Sequence, residues 1–453
     1  MNLFNRSTVF FILIFSAFYC HNFTFAQVIS FEKSSSYAQT NTIKIFKENV
    51  ALTPKKDHDY LSLGSSEKLS ADWWGFRDVL ASNGVEIEIV YKGEFFSSVS
   101  GGVERGTKLL DNYDFIINNN LETLIGLEKS SFLIQFLGNT GGAPSELSGT
   151  ILGVSNIETY PTWKLYQLLF ESKLLDEQLS VMFGLYDLNS EFDTRQSSSL
   201  FLNPSHGIGP DFAFSGTNGP SIFSTTSLAF RLKYQNESGL YLQSAAFDGV
   251  PGNPENPNGT HVILKKEDGF LLANEIGVEF QNDGNYQGKA ALGVWTYTQG
   301  METHNSLMSG GANTSTANSY GVYFTGETKL LENIGMSENT LFSFVRVGYA
   351  NPDVNPINYY FGCGLTMNGV FMQENELGLA FSYAKISQSF IEMTMKNENT
   401  SVAQSEINIE LTYSLNLTPW LGIQPNLQYI INPAYAVGQN NSLMLGSRVT
   451  INL

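Results

Sequence analysis

The sequence predicts an all-β fold: a transmembrane antiparallel β-barrel of about 16 strands, with short periplasmic turns and long external loops. Three observations carry that expectation. Apolar residues recur with period two from residue 84 to the C-terminus. No run of ~18 apolar residues offers a helix that could span a membrane. Connections between the periodic runs alternate between short and long.

The N-terminus points to export. Arg6 is the single charge of the first 26 residues, an apolar run follows from Val9 to Tyr19, and Thr24-Phe25-Ala26 precedes Gln27. That order is expected of a signal peptide over residues 1–26. Its apolar stretch falls short of the ~20 residues of a membrane anchor. Residues 27–70 are polar and unpatterned, and are expected to form a periplasmic tether. Residues 71–453 form the barrel domain.

From Gly84 the alternation is regular. Val85, Ile87, Ile89 and Tyr91 interleave with Glu86, Glu88, Val90 and Lys92. Leu228, Phe230, Leu232 and Tyr234 interleave with Ala229, Arg231 and Lys233, and Ile276, Val278 and Phe280 with Glu275, Gly277 and Glu279. Ile407, Ile409, Leu411 and Tyr413 do so with Asn408, Glu410 and Thr412, and Leu443, Leu445, Val449 and Ile451 with Met444, Gly446 and Arg448. One apolar face and one polar face per strand is the pattern of a wall between lipid and water. Sixteen such runs are centred near residues 90, 118, 134, 168, 182, 230, 243, 276, 292, 324, 345, 364, 381, 410, 426 and 448. Short turns (236–239, 282–285, 417–420) join even strands to odd ones. Long segments (187–222, 249–268, 298–318, 387–404) join odd to even, so both barrel ends of the chain face the periplasm.

Composition excludes other classes. The formal charge is -18, with 43 acidic against 25 basic residues, so the chain cannot neutralise a nucleic-acid backbone. Removing residues 1–26 leaves only Cys363, which allows no internal disulfide and reads as a wall residue beside Phe361 and Leu365. A barrel of ~16 strands has a water-filled lumen, so its inward charges are expected to be solvated rather than paired.

Asp72-Trp73-Trp74-Gly75-Phe76-Arg77-Asp78-Val79-Leu80 stands just before the first periodic run. It resembles the segment with which the carbohydrate-selective porin family (OprB-type) opens its barrel. Gly184-Leu185-Tyr186-Asp187-Leu188-Asn189-Ser190-Glu191-Phe192, Leu200-Phe201-Leu202-Asn203, Phe247–Pro254, Leu417–Leu421 and Gln424–Pro433 are similar in order, so the resemblance covers roughly residues 70–453. It implies a porin of the Gram-negative outer membrane, a multi-pass channel in contact with outer-membrane lipid. Monosaccharides and other small polar solutes would pass by diffusion. It further implies insertion by the barrel assembly machinery, assembly as a homotrimer, and no cofactor. The chain departs from the usual pattern in ending on Leu453 rather than Phe, and the 27–70 segment shows no recognisable peptidoglycan-binding module.

By the resemblance to porins, the third long connection, Asp187 to Ser221, folds inward as the pore constriction. Glu191, Asp193 and Arg195 would orient water and sugar hydroxyls there, and Phe201 would stack on a pyranose face. The plainer reading is that they anchor the loop to the wall. Strand parity turns Lys92, Arg231, Glu275, Glu279, Arg346, Glu410 and Arg448 towards the lumen as pore-lining residues, whether they select solutes or are merely solvated. An enzyme is disfavoured. His58, His206, His261 and His304 lack metal-ligand spacing, no Gly-x-Ser-x-Gly elbow occurs, and the sequence proximity of His206, Asp211 and Ser215 does not make a triad. A structural or adhesive barrel without sugar selectivity is the alternative.

Overall fold

The computed structural model describes residues 67–282, 284–309, 314–333 and 339–453. The expected signal peptide, the tether up to residue 66 and Asp283 of one short turn lie outside the described residues.

Every one of the sixteen periodic runs is a strand. In chain order they are β1 (Val85–Ser100), β2 (Gly106–Asn120), β3 (Ser130–Gly141), β4 (Thr162–Leu174), β5 (Leu179–Tyr186), β6 (Ser227–Gln235), β7 (Leu240–Asp248) and β8 (Phe270–Asn282). There follow β9 (Asn285–Glu302), β10 (Thr316–Glu332), β11 (Thr340–Ala350), β12 (Ile357–Asn368), β13 (Glu376–Ile386), β14 (Ser405–Thr418), β15 (Leu421–Ile431) and β16 (Ser442–Asn452). Each pairs antiparallel with its sequence neighbours, and β1 pairs with β16, so the sheet closes. Closure leaves no edge unpaired, which a lipid environment demands. No described helix is long and apolar enough to cross a membrane.

The two faces follow the pleat. On β14, Asn408, Glu410 and Thr412 are buried inside the barrel, while Leu411 between them is exposed outside. On β16, Met444 and Arg448 point inward and Leu445 outward. Cys363 has the outer parity, in register with Val345 and Phe381. Inner aromatic rings lie flat across glycines of the next strand. Tyr323 is directly opposite Gly293, where an added Cβ would collide with its ring. Glycine is required there because the ring occupies the space a side chain would need.

Two expectations about connections change. The segment 298–318 is not a loop throughout, because β9 and β10 continue as a hairpin to Glu302 opposite Thr316. Strands of 18 and 17 residues exceed the ~9–11 needed to cross, so this hairpin stands beyond the bilayer. The connection 142–161 between β3 and β4 does not stay outside. Thr150, Ile151, Leu152, Val154, Ser155 and Ile157 are all buried.

The start of the barrel is tied to its end. Leu69 donates its N–H to the Asn452 carbonyl at 2.8 Å. Arg77 donates to the carbonyls of Leu453 (2.8 Å) and Ile87 (3.1 Å), with its guanidinium 3.9 Å from the Trp73 ring centre. The Asp72–Leu80 segment therefore ties the seam between β1 and β16.

Candidate channel constriction

The wall is interrupted where β5 ends. At Asp187 the chain leaves the sheet: its carboxylate takes the Asn189 N–H (2.9 Å) and the Tyr166 hydroxyl (2.7 Å), starting a tight turn. The connection 187–226 then crosses the lumen as short helical turns, Leu188–Ser190, Ser197–Leu200, Pro204–His206 and Pro210–Ala213. It rejoins the sheet at Ser227.

Apolar packing holds it at several places. Leu188, Phe192, Ile208 and Phe212 pack among Phe247, Trp295, Tyr297 and Tyr323 of the inner wall. Phe212 stacks on Trp295 with ring centres 4.7 Å apart. Leu200 and Phe201 pack on Phe344 and Ala380.

Ion pairs hold the rest. Arg346 binds the carboxylates of Asp193 and Asp211 together, and an added Cβ on Gly209 or Gly348 would overlap its guanidinium. Arg195 donates to Asp193 (2.8 Å), to Thr325 on the wall (2.6 Å) and to the carbonyls of His206 and Gly207. Arg231 binds Glu191 at 2.8 Å and Glu171 at 2.9 Å. Glu275 accepts from the Asp193 N–H and from the hydroxyls of Tyr241 and Tyr323.

These contacts tune the loop's own titratable groups. Burial alone would raise Glu191, but the Arg231 and Lys233 charges outweigh it and bring its pKa down to about 2. Asp193 is likewise held below the usual carboxylate range, because Arg346 and Arg195 overcome burial. His206 lies between Phe201 and Phe344. Burial, then the Arg195 charge, pushes its pKa down to about 3, so its ring is neutral.

Glu191 and Arg195 border an open space of about 650 Å³ inside the barrel. Asp193 and Phe201 do not; they are 0% and 1% exposed, turned to the wall. The Phe201 ring faces Phe344 and His206, so it offers no face to a passing sugar. All seven expected wall residues point inward, but only Lys92, Glu279 and Arg448 reach the open space. Arg231, Glu275, Arg346 and Glu410 are covered by the crossing loop. The expectation that inward charges are solvated fails for these and for others. Lys92 pairs with Asp114 at 2.8 Å and Arg448 with Glu94. The loops cover much of the inner wall, and a buried charge must then be paired or hydrogen-bonded.

The second inward loop escaped the sequence reading. Glu406 accepts the N–H groups of Ile151 (3.0 Å), Leu152 (3.0 Å) and Ala434 (2.7 Å). Gln428 donates to the Val154 carbonyl at 2.7 Å, and Ser155 donates to Glu94 at 2.6 Å. The two loops meet: the Asn156 N–H reaches the Leu202 carbonyl at 2.7 Å, and the Asn203 amide reaches the Gly153 carbonyl at 2.7 Å. The signal was the apolar set Ile151, Leu152, Val154 and Ile157 inside a long connection.

The open space left between the loops and the wall carries balanced charge. Lys92, Arg195, Lys233, Lys289 and Arg448 stand against Asp114, Asp187, Glu191, Glu279 and Glu327. The sequence pattern of the carbohydrate-selective porins, OprB family, matches residues 104–453. The chain belongs to that family. This porin is similar to Porin B of Pseudomonas aeruginosa, 22% identical over 431 residues that cover 85% of the chain and 91% of that protein. Its fold is that of Pseudomonas putida OprB. The high-pH structure superposes with a TM-score of 0.75 at 19% identity, covering 86% of this chain and 99% of that one. The low-pH structure gives 0.57 at 16% identity. The Asp72–Leu80 segment lies ahead of the matched stretch. This porin is therefore an outer-membrane channel of the carbohydrate-selective kind.

Proposed function

We propose that this porin passes neutral, monosaccharide-sized polar solutes by diffusion and sorts them at the gap between connections 142–161 and 187–226. The charge balance of the passage supports the reading. Five cationic and five anionic side chains line it, so it exerts little net pull on an ion. Asn112, Gln135, Asn156, Asn189 and Gln243 among the lining residues offer hydrogen bonds to hydroxyls. A sugar carries no charge, so its selection rests on aperture and hydrogen-bonding groups at the narrowest point. Of the expected constriction residues, Glu191 and Arg195 act at the aperture. Asp193 and Phe201 act behind it, by holding the loop.

Residues 1–26 direct export in this reading, and residues 27–70 join the barrel to the periplasm. No catalytic role is assigned. Asp211 is engaged by Arg346, the Ser215 hydroxyl lies 3.3 Å from that of Tyr297, and neither His206 ring nitrogen has a hydrogen-bond partner. These three residues do not form a triad. Liposome swelling tests the proposal. A neutral hexose should enter faster than a neutral trisaccharide. Equal rates for the two would refute size discrimination.

A further inference from the structure

A loop that crosses a lumen carries peptide N–H groups with no strand to receive them. Each one left buried and unpaired is costly, because it has given up its bond to water. At three places this porin meets that cost in the same way. Glu327 on β10 takes the consecutive N–H groups of Gln196 and Ser197, both at 2.7 Å, one on each carboxylate oxygen. Glu410 on β14 takes those of Leu202 (2.7 Å) and Asn203 (3.1 Å). Glu406, four residues earlier on the same face, takes those of Ile151 and Leu152, both at 3.0 Å. All three carboxylates are at most 5% exposed.

Three of the six clasped residues border the passage, and the other three adjoin it along the loop. Gln196, Ile151 and Leu152 border the open space, as does Ser199, which lies between the Glu327 and Glu410 clasps. We propose that Glu327, Glu406 and Glu410 are positioning residues that set the size limit of the channel, each carboxylate gripping two successive peptide N–H groups of the loops that form its rim. They act through the loops and need not touch the solute. The inference rests on the reading that these two loops bound the passage.

The chemistry requires a carboxylate. It presents two acceptor oxygens to two donors, and charge-assisted hydrogen bonds are the stronger kind. Glutamine keeps one acceptor and turns an NH₂ donor against the second N–H. The wall strands pair without the clasps, since β10 and β14 are hydrogen-bonded to both neighbours along their lengths.

The test compares wild type with Glu327→Gln, Glu406→Gln and Glu410→Gln, each checked for heat-modifiable gel mobility as evidence of a folded barrel. Glu392→Gln, on the outer helix Gln388–Asn397, is the control. Liposome swelling is read as the trisaccharide-to-monosaccharide rate ratio. The glutamine variants should raise that ratio several-fold, and the aspartate variants, which keep both oxygens, should lower it again. Should one glutamine variant fail to fold, its aspartate counterpart and the other two positions decide. Folded variants with the wild-type ratio would overturn the proposal. A wild type that passes both sugars equally would instead overturn the constriction itself.

Discussion

Arg346 shows how much one side chain does here. It holds Asp193 and Asp211 at once, and both carboxylates are 0% exposed. Removing one member of a buried ion pair leaves the other charge unmatched, at a cost of about 3–5 kcal/mol. Arg346→Met should therefore free the centre of the crossing loop, seen as faster proteolysis within 193–211 and noisier single-channel currents. His206 gives a pH dependence of the opposite origin. Its pKa in the packed loop is about 3, against 6.5 when free. Packing is at full strength above pH 6.5 and weakens as pH falls from there towards 3, because the detached loop takes a proton the packed loop refuses. His206→Phe should abolish that acid-side loss, measured as protease resistance of the loop between pH 7 and 4. Glu191 is not the cause in that range. Its pKa falls from 4.5 to about 2, so its contribution is intact above pH 4.5 and lost only as pH drops from there towards 2. Arg195 lines the passage and also anchors the loop, so Arg195→Ala should shift reversal potentials towards cation selectivity while the barrel stays folded.

Among the elements, strands were legible in the sequence and the paths of loops were not. Period-two alternation is written locally, so Leu411 beside Glu410 and Leu445 beside Met444 reveal which side is lipid before any pairing is known. The inward turn of connection 142–161 depends on a socket far away in sequence. Glu406 lies 255 residues from the Ile151 N–H that it receives. Charge pairing was hidden for the same reason: Lys92 could be placed on the inner face, but not in contact with Asp114 of β2. A direct check is to replace residues 150–157 by a Gly-Ser linker. If this loop forms half of the aperture, conductance should rise although 187–226 is untouched. An unchanged value would assign the aperture to 187–226 alone.

The whole molecule combines two independent constructions. The cylinder is closed by β1 on β16, with Arg77 tying the seam, and each of its strands pairs with two neighbours. Cysteine labelling tests its register. Arg448→Cys should react with a membrane-impermeant thiol reagent, while Val449→Cys and Ile451→Cys should not. The filling comprises two loops clamped to the inner wall by aromatic rings, arginines and three glutamates, and it turns a wide barrel into a narrow, charge-balanced passage. The most direct test of that division is single-channel conductance in planar bilayers, comparing wild type with a variant lacking residues 191–202. Wild type should open a small, steady, ohmic pore, and the deletion a pore of the same steadiness with several-fold higher conductance. The same conductance in both would contradict the account.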